Sequence, residues 1–247
     1  IYQDEKDNNK ALNIFEEGLK KSRELGDSIG VAGCLVGIGD VQLNLGEIDT
    51  ALVYFKKAMD IEEYIGSKEM IARIRIGACL SRSLFDDIES QLDYYKESLA
   101  MAKEIEDSTT IAKTLVWMGN NNKNNSKFDI AEKNYNQALK IYESLDDTYH
   151  IVWVIRNLGF LYSDKGNLKK ELYYYKKALE MAEEADIHKW IYQMNLRLYK
   201  LLDDKSYLET AYKRVQEKAD NLEPDVAAKF LSYPIPKAIV EEWEKVK

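Results

Sequence analysis

A period of 40 residues runs through the chain without a gap, and it limits the fold more than any other feature. One column reads Ala11, Ala51, Gln91, Ala131, Glu171 and Ala211. Four residues on stand Phe15, Phe55, Tyr95, Tyr135, Tyr175 and Val215, and three beyond those Gly18, Ala58, Ser98, Ala138, Ala178 and Lys218. Offsets of three and four put these columns on one face of a helix, here termed helix B. A second set precedes it and defines helix A. Ala32, Ala72, Ala112, Val152 and Tyr192 form one of its columns, and Ile38, Ala78, Met118, Leu158 and Leu198 another. A third, mostly small column (Gly39, Cys79, Gly119, Gly159, Tyr199) allows two helices to approach closely.

The punctuation between helices keeps the same phase. Gly46, Asp86, Ser126, Gly166 and Ser206 mark A–B turns. Asp27, Ser67, Asp107 and Asp147 precede helix A and are N-cap types, able to accept backbone N–H bonds there. All three prolines lie beyond residue 220, so nothing in residues 1–220 forces a helix to break. One helix pair cannot bury both of its apolar faces, but a stack of pairs can. The expected fold is therefore all-α: a right-handed solenoid of antiparallel helix pairs over residues 1–220, holding five and a half units. Residues 221–247 are expected to form a C-terminal capping segment of the same domain, with helices over 226–231 and 237–246 separated by the Pro234-Ile235-Pro236 run. The register places Ile1 late in a helix A, so the first repeat should be truncated and the chain a piece of a longer protein.

The columns resemble the tetratricopeptide repeat. Asn157-Leu158-Gly159 with Tyr162 is similar to that family's Leu-Gly-x-x-Tyr signature, and Gly39, Ala51, Phe55 and Ala58 follow its helix-B pattern. Glu171 departs from it where the family has Ala, and Arg75 and Cys79 make the second repeat irregular. The period exceeds the usual ~34 residues. That resembles the long-helix subclass of kinesin light chains, of spindle-orientation adaptors with Leu-Gly-Asn repeats, and of regulatory arms in bacterial signalling proteins.

The resemblance implies that helix A lines a concave groove for a protein or peptide. In this chain the implied stripe is Gly33, Val36, Asp40, Leu43 and Asn44, then Arg73, Ile76, Leu80, Ser83 and Leu84, then Lys113, Val116, Asn120, Lys123 and Asn124, then Trp153, Arg156, Phe160, Ser163 and Asp164, and last Gln193, Leu196, Lys200, Asp203 and Asp204. Arg73, Lys113, Lys123 and Arg156 are basic in a chain of net charge −8, which points to an acidic partner. Asn120 and Asn124 both donate and accept, which suits a peptide backbone. Trp153 and Phe160 offer apolar contact, and aromatic residues with Arg are typical of binding hot spots. The peptide-binding residues are thus expected to be Arg73, Lys113, Asn120, Lys123, Asn124, Trp153, Arg156 and Phe160.

Chemistry has no foothold in the sequence. No Gly-rich phosphate loop, HExxH motif or zinc-spaced cysteine pair occurs. His150 and His188 are lone histidines near the starts of helices A. The expectation is a protein that is not an enzyme, with no cofactor and no metal site. The acidic balance speaks against a nucleic-acid partner. No apolar run reaches the ~20 residues that span a bilayer. Cys34 and Cys79 make no disulfide framework, which favours a reducing, cytoplasmic setting. The seventeen tyrosines read as packing residues, with Tyr95, Tyr135 and Tyr175 in the core column. The functional expectation is a protein- or peptide-binding scaffold. The alternatives are a regulatory or sensor arm of a larger signalling or transcription-control protein, or a receptor for a short signalling peptide.

Overall fold

The computed structural model describes residues 5–45, 47–61, 64–65, 67–68, 70–72, 74 and 88–247. The chain divides into two compact units, 1–125 and 126–247. Among the described residues every regular element is helical. In the first unit α1 (Glu5–Leu25) packs on α2 (Ser28–Leu45), and α2 on α3 (Ile48–Met59). Further along, α4 (Ile88–Glu104) pairs with α5 (Ser108–Asn124). The second unit holds α6 (Phe128–Ser144), α7 (Thr148–Asp164), α8 (Leu168–Glu184), α9 (His188–Leu202) and α10 (Lys205–Asp220), with α7 packed on α6, α8 on α7, α9 on α8 and α10 on α9. Two short helices, α11 (Pro224–Ser232) and α12 (Pro234–Val246), lie against α10.

The origin of the 40-residue period is visible in the backbone. From α4 to α8 every helix has 17 residues. Three linking residues follow each: a C-cap, a residue in the left-handed region, and the next N-cap. The left-handed positions are Glu106, Ser126, Asp146, Gly166 and Asp186, with φ between 49° and 68°. Only Gly adopts that conformation without a steric cost, so most of these links carry some strain in exchange for a sharp reversal. The reversal satisfies the helix end. Asp147 N donates to Tyr142 O at 3.1 Å, Asn167 N to Tyr162 O at 2.9 Å and Ile187 N to Ala182 O at 2.8 Å, the bonding pattern of a Schellman cap.

The next helix then starts on a side-chain cap. Asp27 accepts from Gly30 N (2.9 Å), Asp107 from Thr110 N (3.0 Å) and Asp147 from His150 N (3.1 Å). Ser67 accepts from Met70 N at 3.4 Å. These are the N-caps expected from the sequence. The turns expected at Ser126 and Gly166 are likewise present, while those at Gly46 and Asp86 fall outside the described residues. The last one moves. Helix α9 has 15 residues and ends on Asp203 in the left-handed region, after which Asp204 caps α10. Ser206 thus lies in the first turn of α10 rather than in a turn. The cause is Asp203-Asp204: the first tolerates positive φ and the second accepts from Ser206 N at 3.0 Å, so the link closes early.

In two of the pairs a large ring of helix B fills the space above a glycine of helix A. A Cβ on Gly39 would come within 2.7 Å of the Phe55 ring, and one on Gly159 within 2.5 Å of Tyr175. Phe55, Tyr95, Tyr135 and Tyr175 are all buried, as the core column predicts. Tyr174, one position earlier, stacks on Tyr162 at 5.4 Å.

The last pair is covered by the C-terminal segment. Tyr192, Leu196, Leu208, Ala211, Val215, Phe230 and Ile239 share one core, with Trp243 stacked on Tyr212 at 5.3 Å. Both terminal helices start earlier than the sequence suggests. Pro224 and Pro234 each occupy a first-turn position, where an N–H would have no partner anyway. Pro236 sits in the same first turn of α12, so it does not interrupt the helix.

Candidate functional site

The expected stripe residues separate into two groups. On α5, Lys113, Asn120 and Lys123 are half-buried and Asn124 is exposed. Val116, expected beside them, is fully buried and belongs to the core, as does Val36 on α2. The neighbouring amides of α5 are committed to their own helix. Asn122 Nδ2 donates to Met118 O at 2.8 Å, and Asn125 Nδ2 to Asn121 O at 2.8 Å. Arg73 lies outside the described residues.

On α7 the side chains gather. Trp153, Arg156 and Phe160 are half-buried and lie one to two turns apart on one face. The Arg156 guanidinium stands 4.8 Å from the Trp190 ring and 4.9 Å from that of Phe160. Arg197 of α9 stands 4.7 Å from the same Phe160 ring, and Tyr175 meets that ring edge-on at 5.6 Å. Stacking a guanidinium on an aromatic face compensates part of its lost hydration. The compensation is incomplete: Arg156 Nε is buried with no hydrogen-bond partner. Burial, with Arg197 adding repulsion, pulls the Arg156 guanidinium down to about 10. At the start of α9, burial beside Arg156 and Lys218 pulls the Lys189 ammonium down to about 8.

Trp153 meets His150 edge-on at 5.9 Å. His150 in turn stacks on Tyr142 at 4.8 Å, and its Nδ1 bonds Asp147 Oδ2 at 2.7 Å. The start of α7 is thereby fixed by a capping carboxylate that also holds a ring.

A cavity of about 220 Å3 opens beside Arg156. It is lined from α7 by Arg156 and Phe160, and from α9 by Gln193, Met194, Leu196, Arg197 and Lys200. Pro234, Ile235 and Ala238 of α12 close it. Five stripe positions named from the sequence therefore meet at one site: Arg156, Phe160, Gln193, Leu196 and Lys200. Arg197 was missed because it lies one residue off the stripe, although its offset of four from Gln193 is a helical-face signal. Trp190 and the α12 wall had no signal in the repeat register, since α12 follows the repeats. Among the described residues no group of three or more His, Cys, Asp or Glu is placed to hold a metal ion. No described helix is long and apolar enough to cross a membrane.

Helix pairs of this kind, with small residues of helix A beneath aromatic residues of helix B, define a helical-repeat protein. The tetratricopeptide repeat family matches residues 110–184 and, independently, residues 32–64. The chain thus carries tetratricopeptide repeats over these two stretches. No curated protein matches it in sequence. Solved structures resemble it in fold. A Rap protein complexed with competence and sporulation factor is 17% identical with a TM-score of 0.67, over 98% of this chain and 73% of that one. The Rap conjugation gene regulator of the plasmid pLS20, in complex with the Phr* peptide, is 14% identical with a TM-score of 0.66, over 98% and 71%. The signal transduction ATPase with a tetratricopeptide repeat sensor from Pyrococcus horikoshii is 17% identical with a TM-score of 0.59, over 87% of this chain and 30% of that one.

Proposed function

We propose that this chain is a non-catalytic scaffold that binds a protein or peptide bearing acidic groups. The contacts come from the helix-A positions Lys113, Asn120, Lys123, Asn124, Trp153, Arg156 and Phe160, with Arg73. One observation carries the reading. The Arg156 guanidinium lies against both the Trp190 and the Phe160 rings, with a buried Nε that no acceptor satisfies, at the edge of a cavity lined by two more cations. A buried donor without a partner costs about 1–3 kcal/mol, which a bound acidic group recovers. The Phr* peptide bound by the similar plasmid regulator supports a peptide as the partner. The setting proposed is cytoplasmic, where the free Cys34 stays reduced.

A second reading, a sensor or regulatory arm of a larger signalling protein, is favoured by the likeness to the tetratricopeptide sensor of the archaeal ATPase. Both readings require a partner on the same stripe. The test is display selection of random peptides on the purified chain. Peptides rich in Asp and Glu should be enriched, and the triple replacement R73E, K113E and R156E should lose them with helicity unchanged by circular dichroism. Equal recovery of acidic peptides by that variant would refute the stripe.

A further inference from the structure

Arg156, Arg197 and Lys200 line one cavity, and no carboxylate lines it with them. Among the described residues none of the three has a carboxylate within salt-bridge distance. Glu242 of α12 lies close enough for Lys200 to stabilise its charge, but Glu242 is held by Lys245 at 2.8 Å. Arg156 and Arg197 stand on the same Phe160 ring, so their charges repel across a partly desolvated space. Arg156 stands against two rings and Arg197 against one, and Arg197 is exposed, so its N–H groups are open to a ligand. Guanidinium edges match the spacing of oxyanion oxygens.

The size is equally specific. At ~30 Å3 per water, a cavity of about 220 Å3 holds roughly seven waters. That admits a compact anionic head on a short stem, against the wall of Pro234, Ile235 and Ala238. Two guanidiniums with no carboxylate within salt-bridge distance, and Lys200 beside them, favour a dianion over a single carboxylate.

The geometry points to a phosphate-binding site between α7 and α9, walled by α12, that takes a phosphate monoester. The proposal rests on the acidic-partner reading and sharpens it: the decisive acidic group is a phosphate. Its source is either a phosphorylated side chain of a peptide or a free small phosphate ester.

The experiment is calorimetric titration of the full chain with inorganic phosphate, O-phospho-L-serine and L-glutamate at neutral pH and fixed ionic strength. Phosphate and phosphoserine should bind about tenfold or more tightly than glutamate. R156Q should weaken phosphoserine about tenfold. Because R156Q removes a packed side chain, the exposed Arg197 provides the control: R197Q retains the fold and should weaken phosphoserine similarly. Glutamate binding as tightly as phosphoserine, or R197Q leaving affinity unchanged, overturns the proposal. A phosphoserine peptide distinguishes the sources: tighter binding than free phosphoserine assigns the site to peptides, and equal binding assigns it to small esters. Acidic peptides that bind while phosphate does not would sink this site and leave the scaffold reading standing. Phosphate binding without any peptide partner would do the reverse.

Discussion

Helices α5 and α7 stand at equivalent places 40 residues apart, yet they present different chemistry. Their core columns agree: Ala112 with Val152, Leu115 with Ile155, Gly119 with Gly159, all buried. Their outer columns do not. Lys113 on α5 corresponds to Trp153 on α7 and Asn120 to Phe160, while the core residue Val116 corresponds to Arg156. On α5 the buried amide of Asn122 donates to its own helix, whereas on α7 a half-buried arginine lies against rings with its Nε donor unmet. The repeat register fixes which positions pack between helices, because a misfit there costs several kcal/mol. The remaining positions are free to diverge, and only their individual contacts show which of them make a site.

The largest expected effect separates ring packing from amide bonding. Tyr175→Ala should lower unfolding stability by about 3–5 kcal/mol, since it empties the space above Gly159 and removes a wall of Phe160. Asn122→Ala on α5, which removes one side chain–backbone bond, should cost only about 1 kcal/mol. Urea midpoints check both, and equal losses would break the comparison. Tyr175→Phe sharpens it: the Tyr175 hydroxyl is buried without a partner, so its removal should be neutral or stabilising.

The next effect compares the two helix starts. Asp107→Ala should cost about 1 kcal/mol through loss of the N-cap. Asp147→Ala should cost more, because that carboxylate also holds the His150 ring against Tyr142 and Trp153. Thermal unfolding of the two single variants decides between equal and unequal caps.

The last comparison is a pH dependence that arises from Lys189 in the second unit. Below about pH 8 Lys189 is charged in both the folded and the unfolded chain, and its burial weakens the fold. Between about 8 and the ordinary 10.5 the folded chain has released the proton that the unfolded chain still binds, so stability rises with pH. The rise should show in urea midpoints of the wild-type chain relative to Lys189→Met, which lacks the titrating group. Parallel curves for the two proteins across that window would contradict the burial of Lys189.

Much of this was legible in sequence. The period of 40 follows from 17-residue helices and three-residue links, and the caps at Asp27, Asp107 and Asp147 follow from side-chain chemistry that acts within three residues. What escaped depends on contacts between distant segments or on competing local choices. The closing turn moved to Asp203-Asp204 because two adjacent aspartates offer a better reversal than Ser206. The first turn of α12 contains Pro234 and Pro236 because neither needs to donate there. At the site, Arg156 and Phe160 were readable from the stripe, but their relation to Arg197, Trp190 and the α12 wall exists only once α7, α9 and α12 are assembled.

The most direct test of the account is a charge exchange at the exposed wall of the cavity, read by fluorescence anisotropy. A labelled peptide rich in Glu and its Lys-substituted counterpart are titrated against the wild-type chain and against R197E. The account predicts that wild type binds the Glu peptide and rejects the Lys peptide, and that R197E weakens the first and gains the second. An R197E chain that binds the Glu peptide as tightly as wild type would contradict it.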